Sequence, residues 1–434
     1  MELAEKKSKA QFHLLLSAAR HVLTGMFSKK NPADRELADF YRRNRQCGSR
    51  DRALINTALY ILLRHWGWVR KLAGTEITAK IEAGDAALSN RDLAALICFA
   101  LLCDGTEKEK IKQAADFLEL SCPVLRPALS RCERAAEAAK LFGFDLSFET
   151  GDLLPEWTRG KVPENYAQNI LNRPPMWLRV NAGAEQETDR ELLEAGLRYS
   201  TLETFPDARA LAPRNINVTA LESFQKGRFE IQDLASQAIV RFCAPRKGER
   251  WFDPCAGAGG KTLAIAEAMG RTGTVLAGDI REKVLLELRK RARRAGYPNI
   301  QTRLHDGKPH RGLKPFDGVL IDAPCTCSGV WRRNPGNPWL LTEEMVAQHA
   351  QLQLEILTSF SSCVKPGGRV IYATCSAFEQ ENEEVVKAFL KKDDRFILKP
   401  AVDPFTGKEG TGFLHIPQNH DCDLMFAAAL ERIK

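Results

Sequence analysis

The sequence predicts a parallel α/β domain preceded by an all-helical one, with a small α+β module between them. Three observations carry that expectation. From Gly248 onward, short apolar runs alternate with helical patterns, the mark of strand–helix units building a parallel sheet. A glycine-rich loop, residues 253–262, follows the first of these strands and opens a helix. Upstream, residues 1–145 are dominated by Ala, Leu, Lys, Arg and Glu, with Leu54, Ala58, Ile61 and Leu62 at helical spacing.

A chain of 434 residues suggests two to three domains, at roughly 150 residues each. The net charge of +8 is compatible with a polyanionic partner. The longest apolar run, Leu96 to Cys103, falls far short of the ~20 residues that span a bilayer, and the N-terminus lacks a signal peptide's apolar core. A cytoplasmic protein without a membrane partner is expected. The 12 cysteines then read as reduced thiols, and those in apolar helical surroundings, such as Cys98, Cys103 and Cys132, as small core residues. No C-x-x-C pair and no His cluster at zinc spacing occurs, so no metal site is expected.

Taken in order, the helical region contains a basic stretch, Tyr41 to Arg52, which reads as a solvated helix edge, with a phosphate-contacting surface as the alternative. Residues 146–175 carry Gly, Pro and polar residues and read as a linker or an irregular connection. The small module occupies 176–245, with a strand at Met176–Asn181, a helix over Thr188–Ala195 and short strands to about residue 230. The larger α/β domain follows over 246–434. Its strands are expected at Glu249–Asp253, Thr274–Asp279, Ile300–His305, Gly318–Asp322 and Arg369–Thr374, with Phe396–Lys399 and Leu424–Leu430 completing the sheet. The helix Glu282–Ala295 stops at Gly296, and its arginine-rich tail reads as a solvated helix end. After Thr342 a helix places Met345, His349, Leu352 and Ile356 on one stripe, making His349 a packed or half-buried residue rather than a catalyst.

In an open parallel sheet the ligand crevice lies outside the carboxyl ends of the strands. That rule delivers Asp322 and Cys325 from one strand, and Cys375 from another, to one rim. Ser376 with Glu379 fits a capping box, which would start a helix just after Cys375 and lower its thiol pKa. The loop Asp253 to Thr262 fails both nucleotide fingerprints tested. A P-loop requires Gly where Cys255 stands, and a dinucleotide loop requires Gly where Thr262 stands. Asp279 ends the next strand about 20 residues on, where an acid holds ribose hydroxyls. Asp279, Asp306 and Asp322 at successive strand ends suit a nucleoside-bearing cofactor.

These residues resemble a family. Asp322-Ala323-Pro324-Cys325 and Thr374-Cys375-Ser376, with Asp253 to Thr262, are similar to the RNA cytosine-5 methyltransferases of the RsmB/Nop2/Sun type. Arg332-Arg333-Asn334-Pro335 and Gln232-Asp233 with Ser236-Gln237 resemble further motifs of that family. Arg50-Asp51-Arg52-Ala53 and Tyr60 to Trp66 resemble the NusB-like RNA-binding domain of its bacterial ribosomal-RNA members. The resemblance implies a Rossmann-like, S-adenosylmethionine-dependent methyltransferase domain behind an all-α NusB-like domain, acting as a monomer. It implies RNA as the partner, ribosomal RNA first and transfer RNA second, and methylation of cytosine C5 through a covalent adduct at C6. Cys375 would be the nucleophile and Cys325 would assist release. Asp322 would bond the cytosine edge, and Lys261 would act on the thiol or on the cofactor carboxylate. Cys255, Ala256, Gly257, Ala258, Gly259, Gly260, Lys261, Asp279, Asp306 and Asp322 would hold the cofactor.

Two departures from the family pattern stand out. The usual Ala-Ala-Pro-Gly-Gly-Lys loop here reads Ala256-Gly257-Ala258-Gly259-Gly260-Lys261, and Cys327 replaces a common Gly, placing a third thiol near the site that is either inert or able to oxidise with a neighbour. Two rivals remain: a methyltransferase acting on DNA or a small molecule, and a non-catalytic RNA-binding or ribosome assembly protein. Binding alone needs neither cysteine.

Overall fold

The computed structural model describes residues 2–83, 88–121, 129–212 and 217–434. The chain divides into two compact units, Met1–Arg173 with Trp331–Leu341, and Pro174–Val330 with Thr342–Lys434. Among the described residues no helix is long and apolar enough to cross a membrane.

The first unit is helical: Glu2–Lys29, Ala33–Arg43, Ser49–Arg64, Trp66–Glu82, Asn90–Asp104, Lys108–Leu118 and Arg131–Leu141 are its main elements. The helix Asn90–Asp104 is apolar all round and buried from Leu96 to Cys103, as expected of a helix enclosed by others. The Ser89 hydroxyl caps it by accepting the Asp92 N–H at 3.0 Å, and Gly105, at φ 72°, stops it. Cys98 and Cys103 lie in this core and Cys132 packs against it. The basic stretch is a helix end and turn, where Arg42 and Arg43 pair with Asp39 at 3.1 and 2.8 Å and keep exposed side chains.

Residues 146–173 form an irregular connection, the second of the two expectations, rather than a linker. Phe148, Leu153 and Leu171 join the helical core, and the Trp68 indole donates to the Glu149 carbonyl at 2.7 Å. Glycine and proline make the segment irregular, yet its apolar side chains still leave water. The segment Trp331–Leu341 enters the same core. Trp331 is fully buried against Tyr166, with ring centroids 5.6 Å apart, and Gly336 lies so close that a Cβ would stand 2.4 Å from Met26 Cε. The buried Arg64 guanidinium donates to the carbonyls of Arg332 at 3.0 Å and Asn172 at 3.4 Å. Burial pushes its pKa down to about 10, so it keeps its charge at neutral pH.

The second unit holds two sheets. Strands β1 (Met176–Val180), β2 (Tyr199–Leu202), β3 (Phe205–Leu211) and β4 (Phe229–Ile231) form an antiparallel sheet in the order β2-β3-β1-β4. The helix of this module runs Glu185–Glu194. The large sheet contains β5 (Arg250–Asp253), β6 (Thr274–Asp279), β7 (Ile300–Leu304), β8 (Phe316–Asp322), β9 (Val364–Thr374) and β10 (Phe396–Leu398). A two-stranded ribbon, β11 (Ala401–Val402) with β12 (Glu409–Gly410), precedes β13 (Phe413–Ile416) and β14 (Met425–Arg432). The large sheet's order is β10-β14-β9-β8-β5-β6-β7, with β13 on β14. β5 to β9 are parallel, and β10, β13 and β14 add an antiparallel edge. This is a Rossmann-like α/β architecture. The chain leaves β5 toward β6 and returns on its other side at β8, so the switch point falls at the ends of β5 and β8.

Two helices depart from their expected faces. In Glu343–Ser361 the buried residues are Val346, Gln353, Leu357, Phe360 and Ser361, whereas Met345 and Leu352 are 38% and 43% exposed. His349 is half-buried, its Nδ1 2.8 Å from the Met345 carbonyl. The arginine-rich end of Glu282–Arg294 is not simply solvated. Arg291, at 2.9 Å, and Arg294 both pair with Glu230 of β4, which is only 2% exposed, and Arg291 also donates to the Ala258 carbonyl at 2.8 Å. The small module and the glycine loop are thus fastened to one helix.

Removing one partner of a buried ion pair leaves an uncompensated charge. Glu230→Gln is therefore expected to cost about 2–3 kcal/mol, discounted from a fully buried pair because both arginines reach solvent. Urea denaturation checks this; a change below about 0.5 kcal/mol would show that the pairing is ornamental.

Candidate active site

The rim is built from the ends of β5, β6, β8 and β9. β5 ends at Asp253, whose Oδ2 accepts the Thr262 hydroxyl at 2.7 Å while Oδ1 is buried without a hydrogen-bond partner. Burial pushes its pKa up to about 7. The loop then turns through Gly257, at φ 52°, and Gly259, at φ 88°, into the helix Gly260–Ala268. Both glycines occupy the left-handed region, and a Cβ on Gly259 would meet Leu288 at 2.5 Å. His305 fixes the start of the loop. Its Nδ1 accepts the Gly307 N–H at 3.0 Å, which leaves Nε2 to donate to the Pro254 carbonyl at 2.8 Å.

Asp279 closes β6 as expected, but its carboxylate is already engaged. It accepts the N–H of Gly257 at 2.9 Å, and the backbone and guanidinium of Arg281 at 2.9 to 3.2 Å. Burial raises its pKa, but the Arg281 and Gly257 bonds outweigh that and hold it below the usual aspartate value. Asp306 lies two residues past β7 in an exposed bend. Cys255 sits at the loop start, its thiol pushed well up by burial.

β8 delivers Asp322, and the Lys261 ammonium donates to its Oδ2 at 2.8 Å. Burial works against the lysine's charge, yet the Asp322 carboxylate leaves its pKa above the ordinary lysine value. Beyond Asp322 the chain brings Cys325 Sγ to 3.4 Å from Cys375 Sγ at the end of β9. The sequence placed these two thiols on one rim and a third, Cys327, near the site, and the fold brings the three together. Cys327 takes φ 54°, and the three sulfurs all lie within 4.8 Å of one another.

The thiol expected to be low is not the one that is low. Hydrogen bonds from Cys325 and Cys375 hold Cys327 down, to about 3. Cys325 is raised well above the ordinary thiol value, first by its bond to Cys327. Cys375 is lowered by Cys325 but raised more by Cys327 and by burial, for a net rise. The expected helix after Cys375 is also absent at that point. Residues 375–378 form a loop, a 3-10 turn covers Glu379–Glu381, and the α-helix begins at Glu383. Ser376 does not cap it; its hydroxyl bonds the Glu381 carboxylate.

Glu381, fully buried, is the residue the sequence reading missed. Its carboxylate accepts the Thr326 N–H at 2.9 Å, the Thr326 hydroxyl, the Ser376 hydroxyl and the Gln353 amide at 2.9 Å. Gln353 also reaches the Pro324 carbonyl at 3.0 Å, and Ser328 Oγ stands 3.1 Å from Ser376 Oγ. The only hint in the sequence is a Glu six residues after Cys375. Gly329 completes the join. Its N–H donates to the Cys375 carbonyl at 2.8 Å, and a Cβ there would stand 2.0 Å from the Leu424 carbonyl oxygen. The Gln232 and Gln237 motif residues support rather than react. Gln232 joins Arg179 at 2.8 Å to the Gly260 carbonyl at 3.1 Å, and Gln237 holds the Gln232 carbonyl at 2.9 Å.

Asp253 makes a pH test possible. Its folded pKa, about 7, lies above the unfolded aspartate value of about 3.9, so ionising it opposes folding, and its contribution falls as pH rises between those values. Asp253→Asn should remove that loss. Measured by denaturation, the variant is expected to gain about 2–4 kcal/mol relative to the parent between pH 4 and pH 8. A difference independent of pH would mean that Asp253 is ionised throughout.

The family of 16S rRNA methyltransferases RsmB/F matches residues 240–431. Ribosomal RNA small subunit methyltransferase B of Klebsiella pneumoniae (strain 342) is 41% identical over 252 residues, 55% of this chain and 58% of its own. The chain thus spans less than two thirds of that relative's length. The Salmonella newport (strain SL254) protein of the same name is 36% identical over 292 residues, 62% of this chain and 67% of that protein. The solved structure of PH0851 has the same fold, with a TM-score of 0.72 at 23% identity, covering 96% of this chain and 99% of that one. The chain belongs to the RsmB/F family of 16S rRNA methyltransferases.

Proposed function

We propose that this chain transfers a methyl group from S-adenosylmethionine to C5 of a cytosine in RNA, with ribosomal RNA the first substrate to test and Cys375 the covalent nucleophile. The observation that carries this reading is the thiol pair Cys325 and Cys375, 3.4 Å apart at neighbouring strand ends, beside the Lys261–Asp322 pair. The loop fits the cofactor. A Cβ at Gly257 would meet nothing within 4 Å, so open space adjoins the backbone there. The first-turn N–H groups of Gly260–Ala268 lack intrahelical acceptors and face a polar ligand readily. Residues Cys255 to Lys261 would hold the cofactor with Asp279, whose bonds to Arg281 the ribose hydroxyls would replace. Asp306 adds a contact from its bend, and Asp322 one from the other side. When bound, the cofactor supplies an electrophilic methyl group.

Cytosine C5 is a poor nucleophile. The Cys375 thiolate forms an S–C6 bond, while Asp322 bonds the cytosine edge and favours a proton at N3; C5 then gains enamine character. After methylation a base takes the C5 proton, the S–C6 bond breaks and the thiolate is restored. Cys325 is placed against Cys375 to assist that release. Because the resting Cys375 thiol is raised, it must lose its proton as the substrate enters; the neighbouring Lys261 ammonium favours that. The helical first unit, similar to NusB-like RNA-binding domains, contributes RNA affinity. A cytoplasmic monomer suffices for this chemistry.

Calorimetry is expected to show S-adenosylmethionine binding that Asp279→Ala weakens about tenfold, a loss of ~1.4 kcal/mol. Binding of ATP or NAD instead would sink the cofactor assignment. With labelled RNA on a denaturing gel, Cys375→Ala should give neither turnover nor a covalent adduct. Cys325→Ala should accumulate a protein–RNA species, because a block after addition traps what a block before addition never forms. The reverse pattern would exchange the two roles. Ribosomal and transfer RNA, tested side by side, identify the acceptor.

A further inference from the structure

We propose that Cys325, Cys327 and Cys375 form a three-thiolate site for a single Zn2+ ion, and that occupancy reversibly silences the reactive thiols. Sequence spacing gave no metal signature, because the third ligand stands 48 residues beyond Cys327 and only the fold brings it close. A tetrahedral zinc with Zn–S bonds near 2.3 Å needs sulfurs about 3.8 Å apart. Here one pair stands at 3.4 Å, and all three sulfurs lie within 4.8 Å of one another. Little rearrangement separates this cluster from a ligand set. The three cysteines are half-buried, so an ion can enter and a water can take the fourth position.

Cys327 is the deciding residue. At φ 54° its backbone suits glycine, and a side chain there carries a steric cost of about 1 kcal/mol. That cost places a third thiol against two others, Sγ being 3.5 Å from the Cys325 carbonyl oxygen. Thiolates are soft ligands and favour Zn2+ over Mg2+ or Ca2+. On binding, three S–H bonds break, three Zn–S bonds form and three protons leave, less any already lost from the resting cluster. No oxidant is consumed. A sulfur bound to zinc has its lone pair engaged and adds poorly to a pyrimidine. That consequence rests on the catalytic reading above; the metal site itself does not.

The test uses the full-length protein in reducing buffer, without RNA or methyl donor. Titration with Co2+ is expected to give thiolate-to-cobalt charge-transfer absorption saturating at one equivalent. Zn2+ should displace the cobalt, and a chelator should restore the free protein. Cys327→Gly, which suits the backbone and should fold, is expected to bind at least tenfold more weakly; Cys325→Ser should do the same. Absence of charge-transfer bands, or equal affinity in Cys327→Gly, would overturn the site. A spectral change that the chelator fails to reverse would also overturn it. In a separate methylation assay, Zn2+ should inhibit the parent at concentrations that spare Cys327→Gly. If neither protein methylates RNA, the catalytic reading fails while the spectra still decide the metal site. Equal inhibition of both would overturn the silencing role.

Discussion

The donors to the Glu381 carboxylate are a backbone N–H, two hydroxyls and a side-chain amide, drawn from the loop after β8, the loop after β9 and the helix Glu343–Ser361. An isolated carboxylate in the interior is costly unless its lone pairs are filled. The three segments therefore have a strong reason to converge on Glu381, and their convergence sets the separation of Cys325 and Cys375. Gln353 extends the constraint to the Pro324 carbonyl, and Gly329 closes it from the other side. The spacing of the two sulfurs is thus fixed by neutral donors around one buried acid.

Much of the large sheet was legible because its information is local. Each strand is a short apolar run, each strand end carries a polar residue, and the glycine loop follows the first strand. β5 to β9 appear within a few residues of the expected ranges, and Asp279, Asp322, Cys325 and Cys375 reach one rim for that reason. What escaped was paired over distance. Glu230 meets Arg291 and Arg294 across more than sixty residues, and nothing near Glu230 marks it as buried. The helix Glu343–Ser361 shows how periodicity misleads. Gln353 is fully buried because Glu381 needs its amide, so a polar residue sits on the packed face while Met345 and Leu352 stand exposed. The capping box failed for a related reason: Ser376 has a better acceptor in Glu381 than the start of a helix could offer.

Cys327 shows how one side chain changes the chemistry of its neighbours without altering the fold. The turn it occupies would form with glycine at less strain. With cysteine present, a third sulfur lies within 4.8 Å of the other two, and its nearness raises the pKa of both Cys325 and Cys375.

The segment Trp331–Leu341 belongs to the helical unit although the sequence on both sides of it builds the sheet. Arg64 holds it through the Arg332 carbonyl, and Trp331 fills space beside Tyr166. On the ribosome, the first 173 residues emerge well before their last structural piece does. The helical unit must wait, short of Trp331 and its neighbours, while more than 150 further residues are made, and such long sequence separation slows the closing step. The helical unit can close only after β5 to β8 have been made, though still ahead of β9 to β14. A nascent chain halted before residue 331 carries neither unit in final form.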